Sequence, residues 1–152
     1  MIGQLLDFIE ITDETKQHGS EIWGLLEPRV ETILATFYTK VHRLHVNPHV
    51  TEHVIPPLIA KQKIHWAGLF GAQFDDEYAN SVRRLGIRHR EINLDLMWYI
   101  LGYEALKLAF TEVIIDSALP PIKKGRLVKA LGKFIALDVA LALSPYEAAL
   151  LD

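Results

Sequence analysis

The sequence of 152 residues contains no cysteine, and this absence removes several kinds of chemistry at once. It excludes disulfide bonds, thiolate catalysis, cysteine-based zinc sites and cysteine-ligated iron. No apolar run approaches the length of a membrane-spanning helix, and the first residues lack the charged-then-apolar pattern of a secretory signal. We therefore expect a cytoplasmic protein.

Charge and enzyme motifs are also scarce. The formal net charge is only −3, which gives no charge-driven preference for nucleic acid or membranes. The chain has no phosphate-binding glycine loop, no serine elbow and no HExxH motif, so no catalytic residues are predicted. Half of the residues are hydrophobic, which is enough for one domain with a real core, and we assign residues 1–152 to a single domain.

The apolar residues recur at steps of three and four, which is the period of helices. One such run extends from Ile22 to Leu44 and is interrupted at Pro28, so we predict two helices that meet at Glu27–Pro28. Further helices are predicted from near Pro57 to Phe70 with Gly71 as a stop, from Asp75–Asp76 through His89, from an Asn93 cap to about Ile115, and from Ile122 to Leu143, ending before Pro145. No strand-like alternation is found, so the predicted class is all-α with six to eight helices.

The last predicted helix is apolar around much of its circumference. Its main stripe is Leu127, Leu131, Phe134, Leu137 and Leu141, and the stripe is widened by Val128, Ile135, Val139 and Ala142. Such a helix must be buried on more than one side. We predict a homodimer in which this helix and the preceding one form a four-helix interface; the alternative is a core helix buried within one chain.

One histidine ends the inward face of an amphipathic helix. Tyr78, Val82, Leu85 and His89 follow one another at steps of four, three and four. An imidazole on an apolar face fits an axial haem ligand, because the macrocycle needs apolar walls, although such a histidine is more often a satisfied core residue. The alternative is a histidine buried in the core of a helical dimerisation module that binds no cofactor.

Several further patterns occur in a fixed order. They are Phe37-Tyr38, Gln62-x-x-His65-Trp66-x-x-Leu69-Phe70, Phe74-Asp75-x-x-Tyr78, Arg84-x-Gly86-x-x-His89, Trp98-Tyr99-Ile100-x-Gly102-Tyr103 and the closing segment Lys133 to Asp138. Together, from about Ile22 to Tyr146, the chain resembles the haem domain of the globin-coupled sensors, which are relatives of the protoglobins. The resemblance implies a globin fold, a three-on-three helical sandwich with an extra N-terminal helix and a reduced D region. Residues 1–20 would be an N-terminal extension.

The resemblance also assigns roles to individual residues. His89 would be the proximal ligand of the haem iron, and Tyr99 would hydrogen-bond its second ring nitrogen. Tyr38 would be the distal donor to the bound gas, with Gln62 as a second donor. Leu58 occupies the place of the distal histidine of ordinary globins.

The other assigned residues concern the walls and rim of the pocket. Phe37, Leu85 and Trp98 would contact the haem, and Lys61 would reach a propionate or the rim. His65 and Trp66 either contact the haem or pack their helix on its neighbours. The segment between Tyr38 and His65-Trp66 is slightly shorter than in some relatives, so the resemblance does not define the haem edge along the connecting region from Asn47 to Pro56.

In function, the resemblance implies a haem b domain that senses dioxygen, carbon monoxide or nitric oxide. Globin-coupled sensors pass the ligation state to a C-terminal output domain, such as a diguanylate cyclase, a histidine kinase or a chemotaxis-type domain. We expect a diguanylate cyclase after Asp152; a stand-alone oxygen-binding globin is the alternative.

Four histidines suggest a different metal site. His42, His45, His49 and His53 are spaced by three, four and four, and imidazole suits zinc, copper or nickel. Pro48 lies inside the run and should break the helix that this spacing requires. We therefore expect solvated surface histidines.

Overall fold

In a computed structural model of the protein, the backbone is described for residues 2–151 and the side chains for residues 2–146. The helices are α1 (Ile2–Phe8), α2 (Asp13–Arg43), α3 (Ile55–Phe70), α4 (Asp76–Glu91), α5 (Leu96–Ile115) and α6 (Pro121–Leu151), with a 3-10 turn at Glu52–Val54. Helix α2 packs on α3, α5 and α6, and α6 also packs along α4 and α5. The predicted all-α class is confirmed.

The predicted break at Glu27–Pro28 is wrong, because α2 runs without interruption through Pro28. An interior proline loses one helical hydrogen bond and costs about 3 kcal/mol. Here the proline ring is exposed, while Leu26 and Val30 beside it are fully buried. Packing of the buried face on both sides of the proline holds the 31 residues of α2 in one helix.

The other boundaries show where local signals were sufficient. Helix α4 begins after Asp75 and α3 ends before Gly71, both as predicted, and Asp75 caps α4 by accepting a hydrogen bond from the backbone N–H of Tyr78. The predicted cap at Asn93 is wrong, since α5 begins after Asp95. Asn93 instead has a φ of 60°, a left-handed conformation that asparagine tolerates in a turn.

The end of the last helix also differs from the prediction. Helix α6 does not stop before Pro145 but continues to Leu151. Pro145 is buried, and its carbonyl oxygen accepts a hydrogen bond from the guanidinium of Arg90 at 2.9 Å. This contact satisfies a carbonyl of α6 from the end of α4 and fixes the two helices to each other.

An aromatic cluster lies at the centre of the core. Trp66, Phe70, Phe110 and Phe134 are almost fully buried, and their ring centroids lie 5.2–6.5 Å apart in successive pairs. The entire main stripe of α6 is also buried within the single chain. The breadth of that stripe is therefore explained without a second subunit.

Among the residues described, no helix is long and apolar enough to cross a membrane.

Residues 2–20 belong to the folded domain. Helix α1 and the first turns of α2 lie there, and Thr12 and Thr15 form a reciprocal cap at the start of α2. His18 and Gly19 are buried, and a Cβ at Gly19 would press on the Phe134 ring and on the Phe70 carbonyl. Part of the predicted N-terminal extension thus packs in the core.

Gly86 sets the distance between α4 and α6, and we expect a Gly86→Ala substitution to destabilise the fold. A Cβ there would overlap the carbonyl oxygen of Ala142, which is backbone and can move only with α6. Overpacking of this kind costs about 1–3 kcal/mol. Gly132 is the matched control, because a Cβ there meets nothing within 4 Å. Urea unfolding should show a loss for Gly86→Ala and a gain of about 0.5–1 kcal/mol for Gly132→Ala; equal changes would contradict this account.

Candidate functional site

A cavity of about 350 Å³ lies between α2, α3, α5 and the end of α4. This volume falls within the roughly 300–1,000 Å³ typical of sites for small molecules and cofactors. Most of its walls are apolar, and they come mainly from α2 and α5. The predicted site residues that line it are Phe37, Tyr38, Gln62, His65, Leu85, His89, Trp98 and Tyr99. The fold therefore brings to one cavity residues that lie up to 62 positions apart in the sequence, from Phe37 to Tyr99.

His89 stands in the last turn of α4 with one ring nitrogen already engaged. Its Nδ1 lies 2.8 Å from the carbonyl oxygen of Leu85, and because a carbonyl only accepts, Nδ1 must carry the proton. In the neutral ring, Nε2 then keeps its lone pair. Burial lowers the pKa of His89, against a smaller opposite effect of the Leu85 hydrogen bond, and this favours the neutral form. A neutral imidazole of fixed tautomer on a cavity wall can bind a metal ion through its free ring nitrogen.

Tyr99 does not make the hydrogen bond predicted for it. Its ring packs on His89 with the centroids 4.7 Å apart, while the Nδ1 proton goes to Leu85. The Leu85 carbonyl lies one helical turn before His89 on the same helix, and it accepts the proton that the prediction gave to Tyr99. The Tyr99 hydroxyl is buried and has no hydrogen-bond partner among the described residues. Such an orphaned polar atom in a cavity wall points to a bound group or water as its partner.

Tyr38 is buried on α2 at the cavity, with only 8% of its surface exposed. Burial raises the pKa of its phenol well above the ordinary value, so the hydroxyl stays protonated and able to donate. The neighbouring Phe37 ring meets it edge-on at 5.2 Å. The part of the chain that the structure describes supplies no hydrogen-bond partner for this hydroxyl. Tyr38 is therefore a donor available to a molecule in the cavity.

His65 lines the cavity, but its Nε2 is directed to a residue that sequence reasoning missed. Asp138 on α6 accepts from this nitrogen at 2.7 Å and is itself fully buried. The only signal in the sequence was a single acidic residue within the apolar stretch Phe134–Ala142. Trp66 packs in the aromatic core, which was one of its two predicted roles, and it also lines the cavity.

Two predicted residues do not line the cavity. Leu58 packs against the core, and Lys61 is exposed on the outer side of α3. Lys40 at the end of α2 does line the cavity, and it is the one permanently charged side chain among the described lining residues. Lys40 follows Phe37 by three residues on the same helix, and this helical spacing could have predicted that Lys40 lines the cavity.

The four histidines between α2 and α3 do not share one helical face. Helix α2 ends at Arg43, one residue after His42, so His45 and His49 do not continue the helix that the regular spacing requires. The Nδ1 of His42 instead lies 3.0 Å from the Val50 carbonyl oxygen, and that of His53 lies 3.2 Å from the Thr51 hydroxyl. No group of three or more potential ligands for a metal ion occurs among the described residues.

With this geometry in place, the comparison with protein families is decisive. The sequence profile of the Protoglobin family matches residues 1–152. The chain belongs to the Protoglobin family. Among solved structures, the fold is similar to the globin domain of the Geobacter sulfurreducens globin-coupled sensor, with a TM-score of 0.81 and 17% identity over 95% of this chain and 96% of that one. No curated protein sequence matches the chain.

Both findings confirm the globin fold expected from the sequence motifs. Membership of a globin family implies haem binding, and the residues of this protoglobin cavity fit that group. The fit rests on the neutral His89 imidazole, the apolar walls and the unpartnered Tyr99 hydroxyl. A cofactor that is a flat apolar ring with polar edges requires these features.

Proposed function

We propose that this protoglobin is a gas-sensing domain that holds haem b through Nε2 of His89. Haem, when bound, supplies an iron whose open side takes dioxygen, carbon monoxide or nitric oxide. The observation that carries the proposal is the His89 ring, with Nδ1 fixed to the Leu85 carbonyl and Nε2 left for a metal. Tyr38 provides the donor that favours dioxygen, and Gln62 is the second polar side chain of the same cavity.

Absorption spectra of the purified protein test this function directly. The ferric and ferrous forms, and the ferrous form under oxygen and carbon monoxide, should each give a Soret band at its own position. A protein that stays colourless after haem is offered would reject the proposal. It would leave the alternative of a helical dimerisation module with His89 in the core.

The proposal includes an output domain after this chain, with a diguanylate cyclase as the first candidate and a stand-alone oxygen-binding globin as the alternative. Support comes from the family resemblance and from α6, which carries Asp138 in contact with a cavity residue and continues to Leu151. The absence of cysteine supports a cytoplasmic setting.

The proposed homodimer rests on α5 rather than on the stripe of α6. Met97, Leu101, Leu108 and Ile115 are half or more exposed and lie at steps of four, seven and seven, so they share one face of α5. Leu101 also lines the cavity, so the same helix faces both the cofactor site and the proposed partner. A second copy with the same face would cover these side chains symmetrically.

A Leu108→Glu substitution should abolish this dimer, because it would place a carboxylate in an apolar interface. Ile64→Glu is the matched control, since Ile64 is 74% exposed on α3, away from the α5 face. Sedimentation at several concentrations should give monomers for Leu108→Glu and unchanged dimers for Ile64→Glu. If both variants behave as the unaltered protein does, the α5 face is not the interface.

A further inference from the structure

Asp138 is the meeting point of four helices. Its carboxylate on α6 is fully buried and accepts three hydrogen bonds, one from each of three other helices. The Tyr78 hydroxyl of α4 donates to Oδ1 at 2.6 Å, the Tyr103 hydroxyl of α5 donates to Oδ2 at 2.8 Å, and Nε2 of His65 on α3 donates to Oδ2 at 2.7 Å. A charge with no exposed surface requires this degree of pairing.

The surroundings of this cluster determine which of its side chains carry a proton. Burial, together with the negative charge of Asp138, raises the pKa values of Tyr78 and Tyr103 well above the ordinary range, so both phenols remain neutral donors. For His65, burial lowers the pKa, but the charge and the hydrogen bond of Asp138 outweigh it and raise the pKa overall. Because a carboxylate only accepts, the Nε2 of His65 carries a proton, and that proton points to Asp138 on α6.

This arrangement bears on the cofactor because His65 and Tyr103 also line the cavity. An imidazole binds iron through a nitrogen lone pair, and Nε2 of His65 has none while it donates its proton to Asp138. His65 is the second histidine of a cavity whose first, His89, has the properties of a ligand. Without a restraint, the cavity would offer two imidazoles to one iron.

We propose that Asp138 is a positioning residue that holds the His65 ring toward α6 and so keeps it from becoming a second iron ligand besides His89. This inference rests on the proposed function, because it presupposes a haem bound through His89. The same contact connects the cavity wall on α3 to the last helix through one buried carboxylate.

The test is the ferrous spectrum of the haem-loaded full chain with an Asp138→Asn substitution. Asparagine keeps the size of the side chain and one acceptor oxygen but removes the charge that holds the proton on His65. We expect the unaltered protein to be five-coordinate and Asp138→Asn to be six-coordinate and low-spin. The double variant Asp138→Asn, His65→Leu should return to the five-coordinate spectrum, which a general loosening of the fold would not do.

Tyr78→Phe is the matched control. It removes the donor to Oδ1 of the same carboxylate and leaves the His65 contact with Oδ2 in place. We expect this variant to keep the five-coordinate spectrum. A six-coordinate spectrum in Tyr78→Phe that resembles the one in Asp138→Asn would overturn the proposal, because the effect would then follow from loosening the core.

The possible failures can be told apart. If the unaltered protein binds no haem, the proposed function fails. If it binds haem and Asp138→Asn leaves the spectrum five-coordinate, only the inference about Asp138 fails. Should Asp138→Asn not fold, ring-nitrogen NMR of the unaltered protein decides: the inference requires a slowly exchanging Nε2 proton on His65 and a titration midpoint above the ordinary value of about 6.5. A rapidly exchanging proton or a lower midpoint would overturn it.

Discussion

Replacing His89 with alanine should abolish the native haem spectrum. The ring supplies the lone pair on Nε2, and alanine offers nothing in its place. Removing only an outer partner of a metal-bound histidine costs about 10–100-fold in affinity, so removing the ligand itself should cost more. The measurement is haem titration followed by the Soret band, with the rate of haem transfer to a competing apoglobin.

Rescue by added imidazole would show that the loss in His89→Ala is caused by the missing ring. Alanine leaves a space the size of the lost ring beside Tyr99, and free imidazole should enter it and restore the five-coordinate ferrous spectrum. His53→Ala is the control, because His53 is exposed and does not line the cavity. A His89→Ala protein with an unaltered spectrum would remove His89 from its role and make His65 the next candidate.

The helices could be predicted from the sequence where a local signal decides them, and not where packing overrides it. Asp75 ends one loop and caps α4 because its carboxylate reaches a free backbone N–H, which is a local event. Pro28 and Pro145 carry an equally strong local signal for a break, yet both lie inside helices. Buried neighbours hold the helix together at Pro28, and Pro145 is itself buried; a single sequence does not show which face will be buried.

The site could be predicted in its residue types but not in all of its contacts. The resemblance to the globin-coupled sensors implied that His89 and Tyr38 share one pocket, and both line the same cavity. The partner of the His89 ring was assigned to Tyr99, although the Leu85 carbonyl of the same helix takes the proton. Asp138 was missed because its three donors come from three helices, and only the assembled fold reveals that they meet.

The second large effect is expected from Tyr38→Phe, which should speed the dissociation of dioxygen. Phenylalanine keeps the buried ring and its contact with Phe37 but loses the hydroxyl. Hydrogen bonds to charged groups contribute about 1.5–3 kcal/mol, and haem-bound dioxygen carries part of a negative charge. Since 1.4 kcal/mol corresponds to a factor of ten, the dissociation rate should rise roughly 10- to 100-fold.

Carbon monoxide separates this effect from a change in the shape of the cavity. It lacks most of the charge that a phenol proton would stabilise, so its dissociation and association should change little in Tyr38→Phe. Because burial holds the pKa of Tyr38 well above its ordinary value, the phenol stays protonated, and the difference between the gases should persist throughout neutral and mildly alkaline pH. Flash photolysis and stopped-flow mixing give these rates. Equal changes for both gases would show that Tyr38 shapes the cavity without donating to the ligand, and Gln62 would then be the donor to test.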